Sequence, residues 1–284
     1  MTPFLLVLVL SAALLHAVWN SMVKSSNSPE LVIASYQLIG SLICVVLAIF
    51  VPFPNPSAWP IIVGSVVIHN CYYFTLARAY RAGDLSQVYP IFRGMAPILV
   101  ACGGFFFVNE YLALNKVVGI SLISLAVVSL AFRPTKFGKL TPKALTWAIA
   151  TAILIASYTI VDGLGVRITN NELSYIVWLF ILEIVPIGII ILLTRRTEWF
   201  EYLRKNQKNV FVGGIASSLA YGLVVYAMSL GALAVVSSLR ETSVIFASII
   251  GAVVMREPFG FARARAAMLV AAGIVAMHWL SHGT

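Results

Sequence analysis

The sequence predicts an all-α integral membrane protein, with ten transmembrane helices as two inverted five-helix repeats. Three observations carry that expectation. The 284 residues are 61% hydrophobic and only 10% Asp, Glu, Lys or Arg, against about 25% charge in an ordinary soluble domain. The apolar residues fall into ten runs, each close to the roughly 20 residues that cross a hydrocarbon core. A segment of the first half recurs at a fixed offset in the second.

A globular core of this size could not bury so much apolar surface with so little charge left for its outside. The bilayer takes the place of that core, and the short loops leave no room for a separate soluble domain. The net charge of +9 does not indicate nucleic acid, because the basic residues are dispersed among the connections between apolar runs. That placement is the footprint of the positive-inside rule. Cys44, Cys71 and Cys102 lie inside apolar runs without metal-ligand spacing, so they read as small buried hydrophobes.

The spans are expected near 3–23, 31–51, 58–80, 86–108, 113–132, 142–162, 175–193, 209–229, 235–255 and 262–280. The first has no basic leader and carries His16, Trp19 and Asn20 near its end, so it reads as a permanent helix and not a cleaved signal peptide. Only Arg81-Ala82-Gly83-Asp84 separates the third span from the fourth. Pro90 and Pro97 interrupt the fourth and free backbone carbonyls there, which suits a gating or binding helix and is also common in ordinary spans. Asp162 ends the sixth span as an interfacial residue, and Glu183 sits inside the apolar run of the seventh. Gly231 and a few apolar residues separate the eighth from the ninth, so this pair and the third and fourth form tight hairpins.

The connections after the first, third, fifth, seventh and ninth spans hold fifteen basic residues; the opposite side holds only Lys116 and Arg167. The crowded side should be cytoplasmic, with both termini extracytoplasmic in a cell (inner) membrane. Two basic residues, Arg93 and Arg240, belong to neither side and fall within spans.

Arg93 to Glu110 precedes Arg240 to Glu257 by 147 residues at both ends. Tyr73 and Gly83 precede Tyr221 and Gly231 by 148; Asn20 and Glu30 precede Asp162 and Glu172 by 142. Five spans per half is odd, so the second half enters the membrane from the other side, the arrangement used for alternating access. The halves divide as 1–135 and 136–284.

At these residues the chain resembles the EamA-type members of the drug/metabolite transporter superfamily. The likeness rests on LLHAVWN at Leu14–Asn20, the glycine turns, Glu110 and Glu257 after the fourth and ninth spans, and MREPFG at Met255–Gly260. The HAVWN opening followed by Lys24 also looks like a subgroup associated with phosphonate utilisation. The resemblance implies a central cavity lined largely by the third, fourth, eighth and ninth spans. It says little of substrate, since members handle amino acids, sugars, metabolites and drugs.

The charged residues within spans are the main site candidates. An Arg at a helix centre costs about 2.5–3.5 kcal/mol on insertion scales, so Arg93 and Arg240 should face a protein-lined or watery interior and have partners. They bind substrate, form structural ion pairs or, for the shallower Arg240, snorkel outward. Glu183 and Glu241 are the proton-coupling candidates. An unpaired Glu183 would be held neutral by its surroundings; otherwise it pairs with a neighbouring helix or, protonated, bonds a backbone carbonyl. Glu241 could instead pair with Arg93. His69, Asn70 and Tyr73 on the third span, Tyr221 on the eighth and Trp19 on the first are expected to line the cavity, although interhelical hydrogen bonding explains such residues equally well. No catalytic motif, metal-ligand set or cofactor fingerprint appears.

The expected function is secondary transport of a small polar metabolite, anionic or zwitterionic, by alternating access. The alternative is a flippase for a lipid-linked substrate. The expected partners are a small-molecule substrate, the lipid bilayer and a proton gradient, with no nucleic acid, in a monomer or homodimer.

Overall fold

The computed structural model describes residues 2–24, 26, 28–132, 140–169, 171–253 and 261–279. Among these, every regular element is helical: α1 (Pro3–Lys24), α2 (Pro29–Leu47), α3 (Trp59–Ala82), α4 (Leu85–Val108), α5 (Leu114–Val128), α6 (Pro142–Ile168), α7 (Glu172–Thr194), α8 (Arg196–Lys205), α9 (Gln207–Leu230), α10 (Leu233–Arg240), α11 (Ser243–Val253) and α12 (Phe261–Trp279). A 3-10 turn precedes α3 and another follows α5. Eight of these helices, α1–α7 and α9, are long and apolar enough to cross a membrane. Met255–Gly260, with Glu257, and the junction between the expected halves lie outside the described residues.

Local chemistry sets the helix starts. Proline opens α2, α3 and α6 within the first two positions, where its missing N–H costs nothing. Thr141 Oγ1 accepts the Ala144 N–H at 3.2 Å, and Asn171 Oδ1 accepts the Ser174 N–H at 2.9 Å, capping α6 and α7. Helix α4 runs through Pro90 and Pro97 without unwinding. The freed carbonyls therefore sit in a continuous helix and not at a break.

The structure corrects four expectations. The ninth span is two helices, because the backbone tightens at its middle. Glu241 N bonds Ser238 O and Thr242 N bonds Leu239 O, each at 3.1 Å, and the Thr242 hydroxyl also takes Leu239 O, at 2.8 Å. Such side-chain competition for a helix carbonyl ends α10, and α11 restarts at Ser243. The connection after α7 is not a plain loop but the amphipathic helix α8. It buries Trp199, whose indole N–H donates to Ser35 Oγ at 2.9 Å, and keeps Arg196, Arg204 and Lys205 outward or partly outward, the pattern of an interfacial helix. Helix α6 continues six residues beyond its expected end, so Asp162 is an interior residue. Cys71 and Cys102 face outward; only Cys44 is buried.

The bundle is apolar outside and polar within. Phe106 and Phe107 are 73% exposed, while His69, Arg93, Asp162, Glu183, Arg240 and Glu241 are all buried. Helices α3 and α4 pack on α6; α1 packs on α9, α10 and α11; α2 packs on α7 and α9; α5 packs on α12. Gly83 permits the tight α3–α4 turn against α6, since a Cβ there would lie 2.6 Å from Ala144 Cβ.

Candidate functional site

A cavity of about 90 Å³ lies among α1, α2, α3, α4, α6, α7, α9 and α10. It extends from the middle of the bundle toward the end where α1 and α3 finish. Val23, Ile33, Tyr80 and Tyr89 line it there. Steps of three and four residues aim the lining side chains: His69, Tyr72, Tyr73, Leu76 and Tyr80 on α3, and His16, Trp19, Asn20 and Val23 on α1.

One cluster is acidic. Glu183 Oε1 accepts from Tyr73 OH at 2.6 Å and from Gln37 Nε2 at 2.9 Å, and lies 3.4 Å from His69 Nδ1. Glu183 is therefore a partnered carboxyl, held by side chains of α2 and α3. The other imidazole nitrogen, His69 Nε2, lies 3.0 Å from Asp162 Oδ2. Asp162 also accepts from Tyr221 OH at 2.5 Å, Tyr175 OH at 2.9 Å and Ser65 Oγ. Tyr158 stacks on the His69 ring, with centroids 4.1 Å apart.

The second cluster is basic. Arg93 Nε on α4 approaches Glu241 Oε2 to 2.9 Å. Arg93 Nη2 also donates to Ser243 Oγ at 3.2 Å. Arg240 is 2% exposed and does not snorkel outward. It lines the cavity, and its Nε and Nη2 have no hydrogen-bond partner among the described residues.

Of the residues singled out from sequence, Trp19, His69, Tyr73, Arg93, Glu183, Tyr221 and Arg240 line this one cavity. The Trp19 indole N–H is buried there without a partner among the described residues. Asn70 is not among the lining residues; its amide donates to Val66 O at 2.9 Å and to Glu183 O at 3.4 Å. Glu241 lies behind Arg93. Sequence reasoning missed Asp162 as a hub, and also Gln37 and Tyr158. The 142-residue offset to Asn20 was the one signal that marked Asp162. No group of three His, Cys, Asp or Glu side chains among the described residues is placed to hold a metal.

Residues 142–279 match the EamA-like transporter family. One solved structure ("Crystal structure of protein") superposes with a TM-score of 0.78 over 99% of this chain and 98% of its own, at 16% identity. At that identity the likeness is one of fold. No curated protein sequence matches the chain.

Proposed function

We propose, from the premise that this chain is an EamA-type membrane transporter, that it carries a small polar solute with a negative group by alternating access. The observation that carries the substrate class is Arg240. Its guanidinium is permanently charged and buried, and it offers two unpartnered nitrogens beside the cavity. A buried donor without an acceptor costs free energy, and a carboxylate, phosphate or phosphonate matches the guanidinium fork. Arg93 is already paired with Glu241, so Arg240 is the anion-binding residue and Arg93 supports it. Trp19, Tyr73 and Tyr221 form apolar and hydroxyl-bearing walls around the solute.

The packing supports two inverted five-helix halves, with the α10–α11 pair and α12 completing ten crossings. Pairing α1 with α6, α2 with α7, α3 with α9, α4 with α10–α11 and α5 with α12 maps contact onto contact. The α3–α6 contact becomes α9–α1, α4–α6 becomes α10/α11–α1, and α2–α7 and α5–α12 map onto themselves. Gly83 and Gly231 end α3 and α9 at nearly the same dihedrals, φ/ψ −154/171 and −151/173. The tightened turn at Glu241 interrupts the ninth span between α10 and α11, which fits the discontinuous helices of transporters. The basic end toward which the cavity extends is assigned to the cytoplasm, in the cell (inner) membrane.

Of the two carboxyls considered for proton coupling, Glu183 suits it better, because it lines the cavity whereas Arg93 holds Glu241. Enclosure of both arginines favours a soluble solute over a lipid-linked one, which would need charge on a lipid-facing rim.

Calorimetry on the protein in lipid nanodiscs tests the reading, using a panel of carboxylates, phosphates, phosphonates and amino acids beside neutral and cationic analogues. Binding should be confined to anions and zwitterions. Arg240→Gln should weaken it roughly tenfold to a hundredfold, the worth of a charge-assisted hydrogen bond, with Arg240→Lys falling between. Equal binding of cationic analogues, or no effect of Arg240→Gln, would overturn it.

A further inference from the structure

We infer that His69 and Glu183 share one exchangeable proton, and that Asp162 is the positioning residue that holds the imidazole for it. The inference deepens the transporter reading and rests on it for the link to transport. The geometry itself stands apart from any substrate.

Both imidazole nitrogens face carboxyl oxygens: Nε2 is 3.0 Å from Asp162 Oδ2 and Nδ1 is 3.4 Å from Glu183 Oε1. A neutral imidazole has one N–H and one lone pair. It can satisfy only one ionised carboxylate. The other nitrogen would then turn a lone pair toward a negative oxygen, in a site where the His69 and Glu183 side chains are 4% and 3% exposed. One additional proton removes that conflict. It sits on Nδ1, giving imidazolium and carboxylate, or on Glu183, giving imidazole and carboxylic acid.

Asp162 fixes which nitrogen is spoken for. A carboxylate has about four lone-pair sites, and Asp162 meets four donors: His69, Ser65, Tyr175 and Tyr221. It has no vacancy for a proton and holds His69 as the Nε2–H form. Glu183 differs. It borders the cavity, and Tyr73 and Gln37 both donate to Oε1, so the carboxyl keeps Oε2 for a proton. The mobile proton therefore sits on Nδ1, facing Oε1, or on Oε2, and it leaves by way of Glu183 as its O–H bond breaks and one forms on a water of the cavity. The remaining groups that face the ring are Tyr158 on α6 and Tyr221 on α9, both phenols, and Arg240 is the cation of the same cavity.

Loss of the proton has a mechanical consequence. His69 is on α3, Asp162 on α6 and Glu183 on α7, so the shared proton joins the first half to the second. Deprotonation leaves Glu183 repelled by the Nδ1 lone pair and held by Tyr73 and Gln37 alone, with its charge beside the cavity, where it would meet a cationic group of a zwitterionic solute.

The test is spectroscopic and needs no substrate. The full chain, labelled with 15N-histidine in nanodiscs, is titrated between about pH 5 and 9, the range in which an imidazole responds. Infrared spectra of the protonated-carboxyl band are recorded in parallel, and His69→Gln assigns the ring signals. The wild type should show a protonated His69 Nε2 throughout. At neutral pH it should show either a protonated Nδ1 or a Glu183 carboxylic-acid band, and the two should be lost together in one step. Glu183→Gln should abolish that step. A wild-type His69 with a bare Nδ1 beside an ionised Glu183 across the whole range would overturn the inference, as would an unchanged step in Glu183→Gln. Either result on the wild type stands even if the variant fails to fold. A shared proton found alongside absent anion binding would sink the substrate reading and leave this one intact.

Discussion

Arg93 Nε on α4 and Glu241 Oε2 at the α10–α11 break lie 2.9 Å apart, with both side chains almost fully enclosed. This contact joins one residue from each expected half. Removing one member of such a pair leaves a buried charge without its partner, typically a loss of about 3–5 kcal/mol. Glu241→Gln should therefore lower the monodisperse yield and the unfolding temperature sharply. The double variant Arg93→Gln/Glu241→Gln should recover much of that loss, because neither charge is then stranded. If recovery of yield brings anion binding back to wild-type strength, Arg93 is purely structural. If binding stays weak, Arg93 also contributes to the field at Arg240.

Asp162 should be the more sensitive of the interior acids. Asp162→Asn places an amide N–H₂ among four donors, so at least one hydroxyl or imidazole N–H loses its acceptor. Each stranded buried donor costs about 1–3 kcal/mol, and a polar network of this kind loses more than its separate parts. Tyr175→Phe removes a single donor 2.9 Å from Asp162 and should cost about 1 kcal/mol. Thermal unfolding of the two variants in one detergent checks the order. A Tyr175→Phe loss equal to that of Asp162→Asn would deny the hub role.

How far the sequence reaches depends on the length scale of each signal. Span positions follow from runs of apolar residues, so the limits of α1, α3, α4, α7 and α9 fall within about three residues of those expected. Glycines and an arginine after Asp162 look like the end of a span, yet α6 runs on to Ile168, because packing and not composition continues it. The break at Glu241 falls in the polar stretch Ser237–Ser243, yet the apolar runs on its two sides add up to the length of one span and so read as a single helix. Arg93, Arg240, Glu183 and His69 were conspicuous singly, as polar residues where lipid should be. That His69 touches both Asp162 and Glu183 depends on the juxtaposition of α3, α6 and α7, which no local pattern encodes. Gln37 and Tyr158 carried no signal at all.

The charge bias makes a prediction about topology. The structure adds to it α8, whose Trp199 is buried while its basic residues lie beside the same end of the bundle. Green fluorescent protein, which fluoresces only when folded in the cytoplasm, should be dark when fused to either terminus, and alkaline phosphatase should be active at both. Bright terminal fusions would invert the assignment of the cavity end, without altering the residues around the cavity.

The last prediction concerns the end opposite the cavity mouth. Glu110, beyond the end of α4, places Oε1 2.7 Å from Arg167 Nη2 and accepts the Leu233 N–H on Oε2 at 2.9 Å. Arg167, near the end of α6, donates to Met228 O at 2.9 Å and Gly231 O at 2.7 Å. The two side chains thus tie α4 and α6 to the α9–α10 turn. If alternating access operates, this tie must open when the far end opens, and weakening it should shift the population that way. The pair is partly exposed, so its charge is worth about 1 kcal/mol at most, and Glu110→Gln should move the equilibrium about fivefold. Single reporter cysteines in a background lacking Cys44, Cys71 and Cys102 can read the shift. Ser237→Cys, buried on α10 beneath the tie, should react faster with a membrane-impermeant thiol reagent supplied from the Glu110 side. Asn20→Cys, on the cavity wall toward the mouth, should react more slowly from its own side. Opposite changes at the two reporters mark a population shift. A rise at both would mean only that Glu110→Gln loosens the fold, and no change at either would remove the Glu110–Arg167 pair from the gate.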